Sequence, residues 1–189
     1  MKTRSLFAAL FLFVGFNSFS FAQDEDMMKA WQEFMTPGPM HKMMSGMVGE
    51  WNTEMKMWMD PSQPPTESKG KMKYEAIMDG RYFLGKFEGE YTGMPFHGME
   101  ITGYDNAKKK FFSTWIDNFG TGIMMLEGTM DEATRTITYR GTSTDPTGKE
   151  MRVKEIMKHI DDDHEFMEMY MEQDGNEMKT MEMHARRVK

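Results

Sequence analysis

The stretch that decides the fold reads Gly49-Glu50-Trp51-Asn52-Thr53-Glu54-Met55-Lys56-Met57-Trp58-Met59. Its odd-numbered positions from Trp51 to Met59 are apolar except for Thr53, whereas the even-numbered positions from Asn52 to Lys56 are polar or charged. A period of two is typical of a β-strand, because successive side chains of a strand point to opposite faces. The stretch is therefore predicted to be the first strand of a sheet with one buried face.

Downstream of this strand, the same alternation recurs between short turn sequences. Asp79-Gly80, Thr92-Gly93 and Asp174-Gly175-Asn176 are composed of residues that favour tight reversals, so neighbouring strands are predicted to pair as antiparallel hairpins. A meander of about ten strands leaves no free edge if it closes, which predicts an all-β, up-and-down barrel. An open sandwich is the alternative. The further predicted strands span residues 69–78, 81–91, 96–104, 110–118, 122–130, 135–144, 149–160, 164–173 and 177–187.

Upstream, the period changes to that of a helix. Met27, Trp31, Phe34 and Met35 recur at helical spacing, and Pro37 ends this first short helix. Methionines spaced at i, i+3, i+4 and i+7 then predict a second short helix, which ends at the glycine that opens the first strand. Residues 23–48 are thus assigned to short N-terminal helices and residues 49–189 to one barrel domain. The methionines of the second helix are Met40, Met43, Met44 and Met47.

The first 22 residues have the pattern of a cleavable signal peptide. Lys2 and Arg4 precede an apolar run of about a dozen residues, and Ser20 and Ala22 place small residues before a break at Gln23. The run is shorter than the roughly 20 residues that a spanning helix needs. We therefore expect a periplasmic or secreted protein with no membrane span.

Composition narrows the classes of function. The formal net charge is −7, which disfavours binding to nucleic acid, and the absence of cysteine excludes disulfides and thiolate metal sites. The sequence contains no nucleophile elbow, no His-Glu-x-x-His motif, no phosphate-binding loop and no dinucleotide fingerprint. No catalytic residue, metal site or cofactor is predicted, and the oligomeric state is left open.

Several ordered motifs resemble those of the DUF1579 family of uncharacterised bacterial proteins. The resemblance covers about residues 30–187 and implies a lipocalin-like, calycin-type barrel. Gly49-Glu50-Trp51 is similar to the Gly-x-Trp start of such barrels. Because the family has no established activity, the resemblance implies no role for any residue. The motifs that carry it are Met35-Thr36-Pro37-Gly38-Pro39, Val48-Gly49-Glu50-Trp51, Gly80-Arg81-Tyr82, Gly98-Met99-Glu100-Ile101-Thr102-Gly103-Tyr104-Asp105 and Trp115-Ile116-Asp117-Asn118-Phe119-Gly120-Thr121-Gly122.

Methionine largely replaces leucine in this chain, which has 26 Met and only five Leu. In a closed barrel the first and last strands are neighbours, so methionines of the first, ninth and tenth strands should share one inner surface. This methionine wall has three interpretations: ordinary core packing, an adaptable surface for an apolar ligand, or thioether ligation of Cu(I). Its members are Met55, Met57, Met59, Met167, Met169, Met171, Met181 and Met183.

Alternation also assigns a face to each polar candidate. His97 shares a face with Met99 and Ile101, so it is predicted to point inward. Glu155 and His159 share a face with apolar neighbours and are also predicted to point inward, as a water-bridged pair. The alternatives are polarity satisfied within the lumen and a strand-end position near water.

Two other histidines are predicted to lie outside the core. His184 occupies the C-terminal region where nitrobindin-type haem barrels place their iron ligand, but its neighbours Met183 and Ala185 define the opposite face as apolar. His184 should therefore face solvent. His41, at the start of the second helix, is expected to be exposed.

The sequence favours a barrel that binds a small apolar ligand in its lumen, without identifying that ligand. A copper-handling protein, a filled structural barrel with a protein partner, and an enzyme are the alternatives. Trp51 is expected to be buried at the base of the barrel against the N-terminal helices. The candidate lumen residues are Trp51, Met55, Met57, Met59, His97, Glu155, His159, Met167, Met169, Met171, Met181 and Met183.

Overall fold

The structure is a computed structural model that describes residues 18–173 and 175–189. Its described part forms two compact units, divided between Met35 and Thr36. The predicted signal peptide lies largely outside the described residues, which begin at Ser18.

The first unit contains helix α1, Ser18–Met35. Met27, Trp31 and Phe34 are each more than half exposed on this helix. The rings of Trp31 and Phe34 meet edge to face with centroids 5.7 Å apart. Among the described residues, no helix has the length and apolar character needed to cross a membrane.

The second unit opens with helix α2, Pro39–Met44, and a 3₁₀ turn, Ser45–Met47. Pro39 suits the first turn of the helix because a proline there costs no intrahelical hydrogen bond. The prediction that His41 is exposed is wrong, since only 7% of it is accessible. Its Nδ1 accepts a hydrogen bond from the backbone N–H of Gly38 at 3.1 Å, and its ring packs edge-on against Tyr104. This burial lowers the pKa of His41.

Ten antiparallel strands close into one barrel, as predicted. Each strand pairs with its neighbours in the chain, and the first strand also pairs with the last. The predicted turn sequences lie between the strands. Gly80 and Gly93 suit two of these turns because glycine readily adopts the positive φ angles that the reversals need. The strands are β1 Gly49–Met57, β2 Thr66–Ile77, β3 Tyr82–Tyr91, β4 Met94–Asp105, β5 Lys110–Asp117, β6 Met124–Asp131, β7 Thr136–Thr144, β8 Glu150–Asp161, β9 His164–Gln173 and β10 Asn176–Arg187.

Trp51 anchors the end of the barrel that α2 covers. Its side chain is 2% exposed, and its Nε1 donates to the carbonyl of Met47 at 2.8 Å. The guanidinium carbon of Arg187 lies 4.2 Å from a Trp51 ring centroid, and Arg187 Nη1 donates to the carbonyl of Val48 at 2.8 Å. The predicted burial of Trp51 is confirmed, and its contact with the segment before β1 is made to Met47 of the 3₁₀ turn.

In the opposite half of the barrel, large side chains pack over glycines of neighbouring strands. Trp115 lies so close to Gly98 that a methyl group at Gly98 would overlap its indole ring. Trp115 also contacts Phe87 and Phe96, with ring centroids 6.4 and 6.3 Å away. This packing places aromatic rings close together at the end of the barrel opposite α2.

Candidate functional site

A cavity of about 210 Å³ lies at the α2 end of the barrel. Met43 and Met47 border it from the helical cap, and Trp51 and Met183 border it from β1 and β10. Because most of its surface is apolar or aromatic, the cavity has the character of a small-molecule site.

Methionines form cross-strand rows on the inside of the barrel. Met55 on β1 pairs with Met183 on β10, Met183 pairs with Met167 on β9, and Met167 pairs with Met157 on β8. A second row joins Met57, Met181 and Met169 in the same way. Paired residues share a face, so the alternation read from the sequence places these methionines together in the lumen.

Only part of this set borders the cavity. Of the candidate lumen residues, Trp51, His159, Met167 and Met183 line it. The others that share the inner face do not border this cavity. These are Met55, Met57, Met169, Met171, Met181 and Glu155.

Met59 was predicted to face inward and does not. β1 ends at Met57, and the chain then leaves the sheet toward the proline-containing loop at Pro61, so Met59 is 82% exposed. The alternation in the sequence continues past the point where pairing with β2 stops, which explains the error.

The inward prediction for His97 is also wrong. In β4, His97 is exposed and shares the outer face with Met99 and Ile101, which are 45% and 41% accessible. The inner face carries Gly98 and Glu100 instead, because Gly98 must oppose the bulky Phe87 and Trp115. In this strand the more apolar face is the solvent face.

Glu100 on β4 borders the cavity with its carboxyl group held by two hydrogen bonds. Its Oε2 accepts a hydrogen bond from the Tyr74 hydroxyl at 2.6 Å, and its Oε1 accepts one from Ser113 at 3.0 Å. Tyr74 reaches Glu100 across Gly85, which lacks the side chain that would block it. Burial raises the pKa of the Glu100 carboxyl, although both hydrogen bonds act in the opposite direction.

A second inward carboxyl, that of Glu155, belongs to the same polar group. Glu155 is 8% exposed and pairs in register with Tyr139 on β7 and Met169 on β9. Burial, reinforced by the charge of Glu100, raises the pKa of Glu155 to about 8. Burial likewise raises the pKa of the Tyr139 hydroxyl. Glu155 is therefore mainly protonated at neutral pH.

His159 does not pair with Glu155 but with Glu165. His159 Nδ1 and Glu165 Oε1 are 2.6 Å apart, and His159 Nε2 lies 3.7 Å from Asp162 Oδ1. His159, Glu165 and Arg135 border the cavity at the end occupied by the β8–β9 turn. Burial raises the pKa of Glu165, and its bond to His159 opposes this shift. These residues give the cavity a polar rim.

His184 lies on the outer face of β10, in agreement with the prediction. Its Nδ1 is 3.0 Å from His164 Nε2, and Phe166 stacks on its ring with centroids 4.8 Å apart. Within residues 18–173 and 175–189, no three side chains of His, Asp or Glu are grouped so as to hold a metal ion.

Sequence reasoning missed Glu100, Tyr74, Tyr139 and Glu165. Glu100 could have been found from Gly98, two residues earlier. A large inward side chain such as Trp115 needs a glycine on the facing strand, so Gly98 should point inward, and Glu100 shares its face. Tyr74, Tyr139 and Glu165 follow from cross-strand register, which a single strand's alternation does not reveal.

The fold and site together define a class: a closed, ten-stranded antiparallel barrel, compatible with a lipocalin-like description, with a mainly apolar cavity under a short helical cap. The profile of the family described as "Protein of unknown function (DUF1579)" matches residues 36–187. The chain belongs to this family.

Comparison with solved structures supports the fold. The chain is similar to the crystal structure of Rv2717c from M. tuberculosis, with a TM-score of 0.62 and 14% sequence identity. The match covers 82% of this chain and 100% of the other. At this identity the likeness establishes the fold alone. The search of curated proteins found no match.

Proposed function

We propose that this protein is an exported barrel that binds a small, mainly apolar ligand in the cavity at the α2 end. The observation that carries the proposal is the mainly apolar cavity of about 210 Å³ under the helical cap. An apolar cavity of about 150 Å³ is large enough to hold benzene. The proposed ligand is accordingly a molecule of about the size of a substituted benzene.

The lining supports adaptable binding. Met43, Met47, Met72, Met157 and Met183 border the cavity together with Trp51. Unbranched thioether side chains change rotamer at low cost and can fit apolar molecules of different shape. Tyr74, Tyr139 and Glu100 supply the few polar groups that would orient such a ligand.

Export is the second part of the proposal, and residues 1–22 carry it. Cleavage between Ala22 and Gln23 would remove residues 18–22 of α1 and leave the barrel unit intact. The N-terminal charges, the short apolar run and the small residues before Gln23 support this processing.

Native mass spectrometry of the exported protein tests both parts. We expect a chain that begins at Gln23 and retains a small molecule that is released on denaturation. As a matched control, Ala185→Leu would narrow the cavity that Ala185 borders, and this variant should retain less of the molecule. An intact mass that includes residues 6–16 would contradict export. Failure of both an endogenous molecule and added substituted benzenes to bind would contradict ligand binding.

A further inference from the structure

The lumen contains two carboxyl groups, those of the half-buried Glu100 and the buried Glu155, with no basic side chain in the described part of the chain within ion-pair distance. Buried charges in proteins are ordinarily paired, because an isolated charge loses its hydration without compensation. The partners of Glu100 are hydroxyl groups, those of Tyr74 and Ser113. Among the described residues, neither Glu100 nor Glu155 forms an ion pair within 4.0 Å with a basic side chain.

Two charged groups at the helical-cap end of the barrel have carboxylate partners of their own. Arg187 pairs with Asp163 at 3.4 Å, and His159 pairs with Glu165 at 2.6 Å. Arg135 borders the cavity at its rim, where its charge lowers the pKa of the Glu165 carboxyl. The deep end therefore carries acidic and phenolic groups: Glu100, Glu155, Tyr74 and Tyr139.

Glu155 also lacks a hydrogen-bond partner among the described residues, although more than nine-tenths of it is buried. Its neighbours in register are the ring of Tyr139 and the thioether of Met169. A buried carboxyl without a partner is costly unless a further group binds there or the carboxyl stays neutral. The cavity that Glu100 and Tyr139 border provides room for such a group.

We infer that the ligand of the lumen is a small organic amine, whose ammonium group binds the Glu100 carboxyl at the wall of the cavity and whose apolar body lies among the methionines. This inference rests on the proposed function and specifies its ligand class. The rings of Trp51, Tyr74 and Tyr139 also border the cavity, and aromatic faces attract cations. A hard cation such as Ca²⁺ or Mg²⁺ is disfavoured, because it needs several oxygen ligands and no three His, Asp or Glu side chains of the described residues are grouped to hold a metal ion.

Binding of an ammonium group should release a proton. Glu155 is mainly neutral at pH 7, and a cation beside it favours the carboxylate. The proton leaves the Glu155 carboxyl for the solvent, while the ligand retains its own charge. Burial also raises the pKa of Glu100, so any Glu100 carboxyl that is protonated would release its proton in the same way.

Isothermal titration calorimetry with three probes of nearly equal size tests the inference on the full chain. 2-Phenylethylamine, propylbenzene and phenylacetate share a phenyl ring and differ in the charge of the short substituent. We expect the amine to bind at least about tenfold more tightly than propylbenzene, as a charge-assisted hydrogen bond allows, and phenylacetate to bind most weakly. The observed enthalpy at pH 7 should change with the ionisation enthalpy of the buffer, in the sense of proton release.

Variants assign the effect to the carboxyl groups. Glu155→Gln and Glu100→Gln should remove most of the preference for the amine and leave the affinity for propylbenzene within about threefold, since volume and apolar contacts are kept. Glu132→Gln, in an exposed turn, is the control and should leave all three affinities unchanged. If a glutamine variant does not fold, proton release by the unaltered protein remains as the independent readout.

The outcomes separate this inference from the proposed function. Equal or tighter binding of propylbenzene or phenylacetate would overturn the amine inference and leave lumen binding standing. Amine binding without proton release, or with an undiminished preference in both folded glutamine variants, would also overturn it. Failure of all three probes to bind would overturn the inference and count against the proposed function.

Discussion

Trp51 joins three parts of the chain at one end of the barrel. Its indole N–H bonds to the carbonyl of Met47, and Arg187 from the last strand lies over its ring. Since Arg187 also bonds to Val48, the first strand, the last strand and the turn before β1 are held by one contact set. The ring borders the cavity, so the same residue serves packing and the site.

Trp51→Ala should lower the free energy of unfolding by about 3–5 kcal/mol, because it removes a fully buried aromatic side chain and leaves a void. Urea denaturation followed by far-ultraviolet circular dichroism measures the change. Trp31→Ala is the control, since Trp31 is 53% exposed in α1, and it should cost less than about 1 kcal/mol. An unchanged midpoint for Trp51→Ala would show that the contact set does not hold the barrel closed.

Glu155 should make the protein less stable as the pH rises. Its pKa is about 8 in the folded protein, against an ordinary value of 4.5, so between these values the folded protein retains a proton that the unfolded chain releases. The resulting stability is fully present below pH 4.5 and is lost as the pH rises through 8. Glu100 and Glu165 shift in the same direction and contribute to the same decline.

Glu155→Gln should therefore flatten the dependence of stability on pH. Between about pH 5 and pH 8, the unaltered protein should lose at least about 1 kcal/mol more unfolding free energy than the variant, the equivalent of one pKa unit. Urea midpoints across this range provide the measurement, with Glu132→Gln as the exposed control. Parallel curves for the unaltered protein and Glu155→Gln would mean that Glu155 is charged in the folded state.

At the scale of the strands, glycines decide which rings can enter the lumen. Gly98 on β4 lies under Trp115 on β5, and Gly85 on β3 lies under Tyr74 on β2. A side chain at Gly85 would come within 2.6 Å of the Tyr74 ring and displace the hydroxyl that bonds to Glu100. The absence of a side chain at Gly85 thus allows the Tyr74 hydroxyl to reach Glu100 in the cavity.

Gly98→Ala should destabilise the barrel by about 1–3 kcal/mol, as overpacking of a tight core does. Thermal unfolding compared with Gly122→Ala tests this, since a methyl group at Gly122 would meet nothing within 4 Å. Equal stability of the two variants would show that Trp115 moves aside without cost.

Leucine substitutions in the methionine rows can distinguish a packing role of these residues from copper ligation. Replacing Met57, Met169 and Met183 with leucine keeps volume and apolarity but removes sulfur, so unfolding free energy should fall by less than about 1.5 kcal/mol per site. Circular dichroism and urea denaturation measure this, and titration with Cu(I) is run in parallel. Under the ligand proposal the triple variant and the unaltered protein should behave alike toward copper. Loss of a Cu(I) site in a stable variant would favour copper handling instead.

The ten strands could be predicted because each carries a period of two and ends at a residue suited to a turn. The faces could be predicted where one face is clearly apolar, as in β1 and β9. In β4 that rule failed, because Met99 and Ile101 face solvent while a glutamate faces the cavity. At Met59 it failed because alternation outlasts strand pairing. The polar group of the site depends on contacts such as Tyr74 with Glu100, which lie 26 residues apart in sequence.

For the whole molecule, space in the lumen is unevenly distributed. Aromatic rings pack over glycines in one half, and a cavity borders the helical cap in the other. The position of this cavity supports binding at the capped end. The many methionines, placed both inside and outside, also provide natural spectroscopic reporters.

The most direct test of lumen binding is a methyl NMR titration of protein labelled with ¹³C at the methionine methyl groups. 2-Phenylethylamine and propylbenzene would be added in separate experiments. We predict saturable shifts for Met72, Met167 and Met183, which border the cavity, and no shift for the exposed Met59 and Met125. An absence of shifts with both probes, or shifts confined to the exposed methionines, would contradict the account.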